Sequence, residues 1–179
     1  KVDGRWLCDG LASTMEVTCA PSTYKADFTS LQLACEFIGA ITAKTTIARS
    51  IIRLIGAVTL SDSLDLSGFG VAVNLTVKGD HPWFSRLLAS SSFPTGKHLL
   101  KINGSVFGTG NNVSFENLSI GWMHLSANQD DGYAAIYAPG NDTKNTASTV
   151  CPNTAFELKN NQGGTSRCID LPSFNPSDF

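Results

Sequence analysis

The chain has no long hydrophobic run and no run of like charges. No stretch of 18 or more uncharged apolar residues occurs among its 179 residues, so we expect no membrane-spanning helix. Its 13 Lys and Arg residues against 15 Asp and Glu residues give a formal net charge of −2. Without a basic patch to neutralise phosphates, a nucleic acid is not expected as a partner. The 42% hydrophobic content suits one globular domain with a sizeable core.

Metal-ligand motifs are also lacking. The five Cys residues form no Cys-x-x-Cys pair, and no His lies at zinc-ligand spacing from them, so we expect no metal and no cofactor. In an oxidising compartment disulfides explain the Cys residues better, although the sequence alone does not select the pairing. The seventeen-residue separation favours a bridge from Cys151 to Cys168, and a second is expected from Cys8 to Cys19. Cys35 is expected to be buried on a helix face.

The chain is rich in N-glycosylation sequons. Its twelve Asn and thirty-five Ser and Thr residues would form roughly two sequons by chance, whereas five lie within 68 residues. This excess indicates a secreted, extracellular protein, and any signal peptide is expected to have been removed. Apolar neighbours make Asn117 the least favourable of the five, because a glycan needs an exposed attachment point. The expected sites are Asn74, Asn103, Asn112, Asn117 and Asn141.

One amphipathic helix is predicted near the start of the chain. Residues 1–26 are mixed in character and are expected to be irregular or to form an edge. Asp27 or Thr29 is predicted to cap a helix over about 29–39, and Gly39 is a natural stop. The buried face follows i, i+3, i+4, i+7 spacing and consists of Leu31, Ala34, Cys35 and Ile38.

Strand patterns follow the helix. Apolar and polar residues alternate over 57–67 and again over 71–77, with Asn74 and Thr76 expected to face outward. Residues 80–97 break this alternation and are expected to form a loop outgrowth. The inward-facing residues are predicted to be Val58, Leu60, Leu64, Leu66, Val71, Val73, Leu75 and Val77.

Apolar anchors then recur along the chain, mostly about twenty residues apart. Self-similarity at such a period is typical of a solenoid, and the Gly, Asn and β-branched content favours short strands over helices. A coil of parallel strands fits best, and an antiparallel sandwich is the structural alternative. The anchors are Leu54, Leu75, Leu99, Leu118, Ile136, Phe156 and Ile169.

The block from Asp27 to Asp80 combines an amphipathic helix with alternating strand patterns, and a further strand pattern is Gly110-Asn-Asn-Val-Ser-Phe-Glu-Asn-Leu-Ser-Ile. The block resembles the N-terminal cap and first rungs of right-handed parallel β-helix proteins of the pectate-lyase-like superfamily, and the Gly110 segment is similar to their rung formula. Gly132-Tyr-Ala-Ala-Ile and Phe156-Glu-Leu-Lys-Asn-Asn are similar to the looser repeats of surface-displayed members. The resemblance implies an all-β fold: a right-handed parallel β-helix over 27–171 with a short N-terminal capping helix. It implies fold more strongly than activity.

Carboxylates are the candidate catalytic residues. Gln129-Asp130-Asp131-Gly132 resembles one polygalacturonase motif, since two adjacent carboxylates can share a cleft with one pKa raised. The companion Asn-Thr-Asp and Gly-His-Gly motifs are missing, and Asp-Asp-Gly is also a common turn sequence. Asp62 and Asp65 form the only acidic pair on a predicted strand, too few ligands for a convincing calcium site. We therefore favour a non-enzymatic role and leave enzymatic activity open as the alternative.

The aromatic residues of the 80–97 segment suggest another role. Trp83, Phe84 and Phe93 either pack the loop onto the coil, which is the more common outcome, or stack on sugars as exposed rings. The extended tail 172–179 is expected to place Phe174 and Phe179 against a neighbouring copy.

These features together predict a secreted, N-glycosylated structural or surface protein of an extracellular fibre, coat or adhesive layer. The expected partners are its N-linked glycans, further copies of the chain in a homo-oligomer or homopolymer, and carbohydrate. The alternatives are a polysaccharide-active enzyme of the polygalacturonase or pectate lyase kind, centred on Asp130 and Asp131, and a carbohydrate-binding module that uses Trp83 and Phe84.

Overall fold

The computed structural model describes residues 14–42, 47–66, 74–94, 96–102, 112–121, 134–137, 148–157 and 167–170. Within these ranges the chain forms thirteen strands and one helix. In chain order they are β1 (Thr14–Cys19), α1 (Leu31–Thr42), β2 (Arg49–Leu54), β3 (Ala57–Leu60), β4 (Leu64–Asp65), β5 (Asn74–Gly79), β6 (Arg86–Ala89), β7 (Leu100–Lys101), β8 (Asn112–Glu116), β9 (Ser119–Gly121), β10 (Ala134–Tyr137), β11 (Ser148–Val150), β12 (Ala155–Glu157) and β13 (Arg167–Asp170).

The strands assemble into three parallel sheets. The first sheet has the order β1-β2-β5-β8-β11, the second β3-β6-β9-β12 and the third β4-β7-β10-β13. Every strand pair in these sheets is parallel. From β2 onward each sheet therefore collects every third strand of the chain. The expectation of an all-β, parallel-stranded fold is confirmed, and no antiparallel pairing occurs among the described strands.

Side-chain alternation explains which face of each strand is buried. In β2 the pattern places Ser50, Ile52 and Leu54 inside, and in β3 it places Val58 and Leu60 inside. Since successive side chains of a strand point to opposite faces, each sheet has one apolar face. Buried apolar residues from all three sheets contribute to a single hydrophobic cluster. Of the predicted inward residues, Val71 and Val73 lie outside the described residues.

The predicted spacing of about twenty residues is wrong. Paired residues are 25 positions apart between Arg49 and Asn74, but 36 apart between Leu64 and Leu100 and again between Leu100 and Ile136. Successive anchors chosen from the sequence are not paired with each other: Leu54 and Leu75 both lie on the first sheet, but Leu54 pairs with Gly79 and Leu75 with Ser50. The spacing between successive anchors is therefore not the distance between paired residues. The structural repeat is the number of residues between one strand and the next strand of the same sheet.

The N-terminal helix has the predicted face but different ends. Leu31, Ala34, Cys35 and Ile38 are buried as expected, whereas the helix continues through Gly39 to Thr42. The carbonyl of Ser30 accepts the first helical hydrogen bond from the Ala34 amide, at 3.2 Å, which makes Ser30 the N-cap residue.

Asp27 has a different role from the predicted cap. Its Oδ2 accepts hydrogen bonds from the amide and the hydroxyl of Thr18, both at 2.8 Å, so it joins the segment before α1 to β1. In the part of the chain described, no helix has the length and hydrophobicity needed to cross a membrane.

The expected loop outgrowth over 80–97 contains a strand. β6 begins at Arg86, and its Leu87, Leu88 and Ala89 are buried between β3 and β9. Three consecutive apolar residues carry no alternation, so the sequence pattern does not distinguish this strand from a loop. The neighbours of β6 on both sides determine its conformation.

Candidate functional site

A short turn between β5 and β6 projects aromatic rings from the sheets. We call residues His81 to Phe84 the aromatic turn. The amides of Phe84 and Ser85 donate to the His81 carbonyl at 3.0 and 2.8 Å, and the Trp83 amide donates to His81 Nδ1 at 3.2 Å. These bonds close the turn on itself and fix the backbone that carries Trp83.

Ser85 and Ser119 attach this turn to the sheets. The Ser85 hydroxyl is fully buried, donates to the Leu54 carbonyl at 2.8 Å and accepts from the Asp80 amide at 3.0 Å. The Ser119 hydroxyl, from β9, donates to the Pro82 carbonyl. The turn is therefore bonded to β2 and to β9, on either side of its own strands.

The rings of the turn differ sharply in burial. The Trp83 side chain is 88% exposed, while Phe84 and nearby Tyr24 are 43% and 45% exposed. Tyr24 meets Phe84 edge to face, with ring centroids 6.2 Å apart, whereas Phe93 is buried in the core. The expectation that these rings pack the segment onto the coil thus holds for Phe93 and fails for Trp83. An exposed Trp on a hydrogen-bonded turn favours a contact role.

A second polar surface lies on the outer face of the third sheet. Asp65, Lys101 and Tyr137 are in register on β4, β7 and β10. The His98 ring stacks on Tyr137, with centroids 4.1 Å apart and planes 4° from parallel. We call these four residues, with Asp62 and Lys97, the third-sheet cluster.

Asp62 and Lys97 form an ion pair at one end of this cluster. Lys97 Nζ lies 2.7 and 3.0 Å from the two carboxylate oxygens of Asp62. Hydrogen bonds from Lys97 and from the Ser63 amide, with the charge of Lys101, hold the Asp62 pKa below its usual value. Asp62 therefore stays ionised and is a poor general acid.

The third-sheet cluster brings together residues that sequence reasoning left apart. The sequence feature that could have predicted this cluster is the 36-residue offset that places Lys101 beside Asp65. That offset becomes evident only once the sheet register is known. Among the described residues no group of three or more His, Cys, Asp or Glu side chains could hold a metal ion. Asp62 and Asp65 are therefore not part of such a group.

The sequons lie in different environments. Asn74 is the first residue of β5, and its Nδ2 is 3.5 Å from the Ala48 carbonyl in an exposed setting. Asn112 is the first residue of β8, where only the backbone is described. Asn103 and Asn141 lie outside the described residues.

Asn117 occupies a strained turn between β8 and β9. Its φ is 55°, and Asn153, at the matching place between β11 and β12, has a φ of 49°. Asn153 Nδ2 donates to Asn117 Oδ1 at 2.7 Å, so the two amides stack from one level to the next. Asn tolerates the left-handed region better than most residues. The Asn117 side chain is thus engaged in the fold.

Thr76 lies on the outer face as predicted, but it is buried rather than exposed to solvent. The guanidinium of Arg49 covers it, with Nε and Nη2 donating to Thr76 Oγ1 at 3.3 and 3.2 Å. Arg49 Nη2 also lies 3.6 Å from Glu116 Oε1 on β8. One long side chain therefore spans three strands of the first sheet.

The cysteines are free where the structure describes their side chains. Cys19, Cys35 and Cys151 carry thiols, and burial raises the pKa of Cys19 to about 12 and that of Cys151 to about 11. Cys35 is buried on α1 as predicted. Cys8 lies outside the described residues, and for Cys168 only the backbone is described. Both predicted bridges therefore stay predictions.

Four further candidate residues lie outside the described residues. They are the predicted carboxylates Asp130 and Asp131 and the tail residues Phe174 and Phe179.

Comparisons of the chain with protein-family models, with curated protein sequences and with solved structures gave no match. The function must therefore be inferred from the geometry of this chain itself.

Proposed function

We propose that the protein is a secreted, N-glycosylated right-handed parallel β-helix with a structural or surface role in an extracellular fibre, coat or adhesive layer. The observation that carries this proposal is the strand order, in which three parallel sheets each take every third strand. A chain that visits three sheets in a constant order and returns with parallel register follows a coiled path. Right-handed connections are strongly favoured between parallel strands, which supports the hand.

The position of α1 supports its role as a cap. The helix contacts β1 and β2, the first two strands of the first sheet. Its buried face, which includes Leu31 and Ile38, joins the same hydrophobic cluster as the strands. An amphipathic helix at this place covers the apolar end of the coil, which would otherwise be open to water.

The stacked turn residues also support a coil with repeated levels. Asn117 and Asn153 adopt the same left-handed conformation 36 residues apart and are joined side chain to side chain. The hydrogen bond from the Asn153 amide to the Asn117 amide joins the two levels, so it favours a fixed register between them.

Assembly is supported by the end of the coil opposite α1. Within the described residues, β11, β12 and β13 are the last strands of the three sheets. The outer backbone groups of such strands can pair with another chain, and head-to-tail contacts that do not close into a ring give a filament. Extracellular fibres and coats are built from contacts of this kind.

Glycopeptide mass spectrometry of protein secreted from eukaryotic cells tests the secretory part. We expect glycan at Asn74, where the side chain lies in an exposed setting. We expect none at Asn117, because its Oδ1 accepts a 2.7 Å hydrogen bond from Asn153 Nδ2, much shorter than the 3.5 Å contact of Asn74, and its backbone is held in the left-handed region of the turn. A secreted protein whose mass is unchanged by glycosidase would overturn this part of the proposal.

Light scattering of the full chain and of a variant lacking residues 172–179 tests assembly. The full chain is expected to form concentration-dependent oligomers, and the deletion variant to remain folded as a monomer. A full-length chain that stays monomeric at high concentration contradicts the structural role. Unchanged oligomers in the deletion variant would remove the tail from the contact.

A further inference from the structure

The aromatic turn has a property that a purely structural role does not require. Trp83 is the most exposed of the large apolar residues in the described part of the chain. Its backbone is nevertheless fixed by hydrogen bonds to His81 and, through Ser85 and Ser119, to two sheets. A fixed backbone reduces the conformational entropy that is lost when the exposed ring binds a ligand.

The aromatic surface is too small for a stable protein interface. With side chains of roughly 150–250 Å² each, the exposed parts of Trp83, Phe84 and Tyr24 offer roughly 350 Å². A standard interface needs about 800 Å² on each partner. An area of this size suits one or two sugar rings.

The charges beside the turn cancel. Arg53 Nη2 lies 2.6 Å from Asp80 Oδ1 at the base of the turn, and both side chains are about half exposed. This ion pair has no net charge, which favours an uncharged ligand over a polyanion at the turn.

The chemistry of a sugar ring fits this arrangement. One face of a pyranose carries C–H groups, whose slightly positive hydrogens match the negative face of an aromatic ring. The hydroxyls at its edge need polar partners, which the exposed Arg53 and Asp80 supply without a net charge. We propose that the aromatic turn is a binding site for a neutral polysaccharide, with Trp83 stacked on a sugar ring. This inference goes beyond the structural role and does not depend on assembly.

The test uses the full glycoprotein and four polymer or lipid probes. Insoluble cellulose and insoluble chitin are the neutral polysaccharides, polygalacturonate is the anionic comparison, and phosphatidylcholine–phosphatidylserine vesicles are the lipid comparison. The variants are Trp83→Ala, Trp83→Phe and, as a matched control, Leu33→Ala, which removes an exposed apolar side chain from α1. Circular dichroism checks folding, which we expect to be unchanged because the Trp83 ring is exposed.

We expect the protein to bind at least one neutral polysaccharide. Trp83→Ala should weaken that binding at least roughly tenfold, Trp83→Phe should weaken it less, and Leu33→Ala should leave it unchanged. Each of the following results overturns the proposal: no binding to either neutral polymer, preference for polygalacturonate, or equal binding by Trp83→Ala. Vesicle binding that depends on Trp83 would assign the turn to a lipid surface instead. Oligomers that dissociate in Trp83→Ala would assign it to a second copy of the chain. Both of these results would also overturn the proposal, whereas failure of the assembly test alone would leave it standing.

Discussion

Replacing Gly79 by Ala should disrupt the contact between the end of β5 and the turn that joins β8 to β9. Gly79 is the buried last residue of β5 and lies against the turn that joins β8 to β9. A methyl group placed there would overlap the Asn117 carbonyl oxygen and the Ser85 Cβ, and would come within 3.0 Å of the Leu118 Cβ. Side chains at such a site have no room, so the backbone must move.

The obstructing atoms determine the size of the effect. Overpacking a core typically costs 1–3 kcal/mol. Here one obstacle is a backbone carbonyl, and Ser85 is held by hydrogen bonds to Leu54 and Asp80. We therefore expect Gly79→Ala to lower the free energy of unfolding by about 3 kcal/mol, at the upper end of that range.

Urea unfolding followed by circular dichroism measures this loss. With a slope of about 2 kcal/mol per molar urea, a loss of about 3 kcal/mol lowers the midpoint by about 1.5 M. Lys78→Ala is the matched control, because Lys78 is exposed on the same strand and should change stability by no more than about 0.5 kcal/mol. If Gly79→Ala shifts the midpoint no further than this control, the close approach of Gly79 to the turn between β8 and β9 is wrong.

Three other perturbations test separate contacts. Asn117→Gly and Asn153→Gly remove the stacked amides but keep the left-handed backbone accessible, so a double-mutant cycle should give a coupling energy of about 1 kcal/mol, and additive effects would contradict the stacking. The pKa of Asp62 is lowered in the folded state, so its pairing stabilises the fold above the unfolded pKa and is lost as pH falls through the folded pKa. A carboxyl titration by NMR should show a higher Asp62 pKa in Lys97→Ala than in the wild type. This difference between variant and wild type should become smaller at high salt, which screens the ion pair. An unchanged Asp62 pKa would refute the ion pair. Burial raises the pKa of Cys35, so iodoacetamide at pH 8 should alkylate it only after denaturation, and labelling of the native protein would show that α1 does not cover it.

Local structure followed directly from the residue pattern. The buried face of α1 was predictable because i, i+3 and i+4 residues share one side of a helix, and the inward positions of β3 and β4 were predictable because strands alternate. Thr76 shows the limit of such parity. Alternation predicts the face on which it lies, but its burial depends on the reach of Arg49 from the neighbouring strand.

The candidate sites were predictable to different degrees. Trp83 and Phe84 were identifiable as aromatic residues in a segment without alternation, whereas their opposite fates from Phe93 required the positions of Ser85 and Ser119. The third-sheet cluster was not predictable, since nothing local relates Asp65 to a Lys 36 residues later.

The sequence by itself determined the buried faces of α1, β3 and β4 and the presence of one amphipathic helix. These depend on the period of apolar residues, which is a local property of the chain. Only the tertiary structure decided the true repeat, the strand β6 and the neighbours of each outward-facing side chain. The physical reason is that turns of unequal length separate the strands, so paired residues lie 25 positions apart at one place and 36 at another. The register between neighbouring strands is set by packing and backbone pairing between residues that are far apart in the chain. No single short segment therefore determines which residues pair.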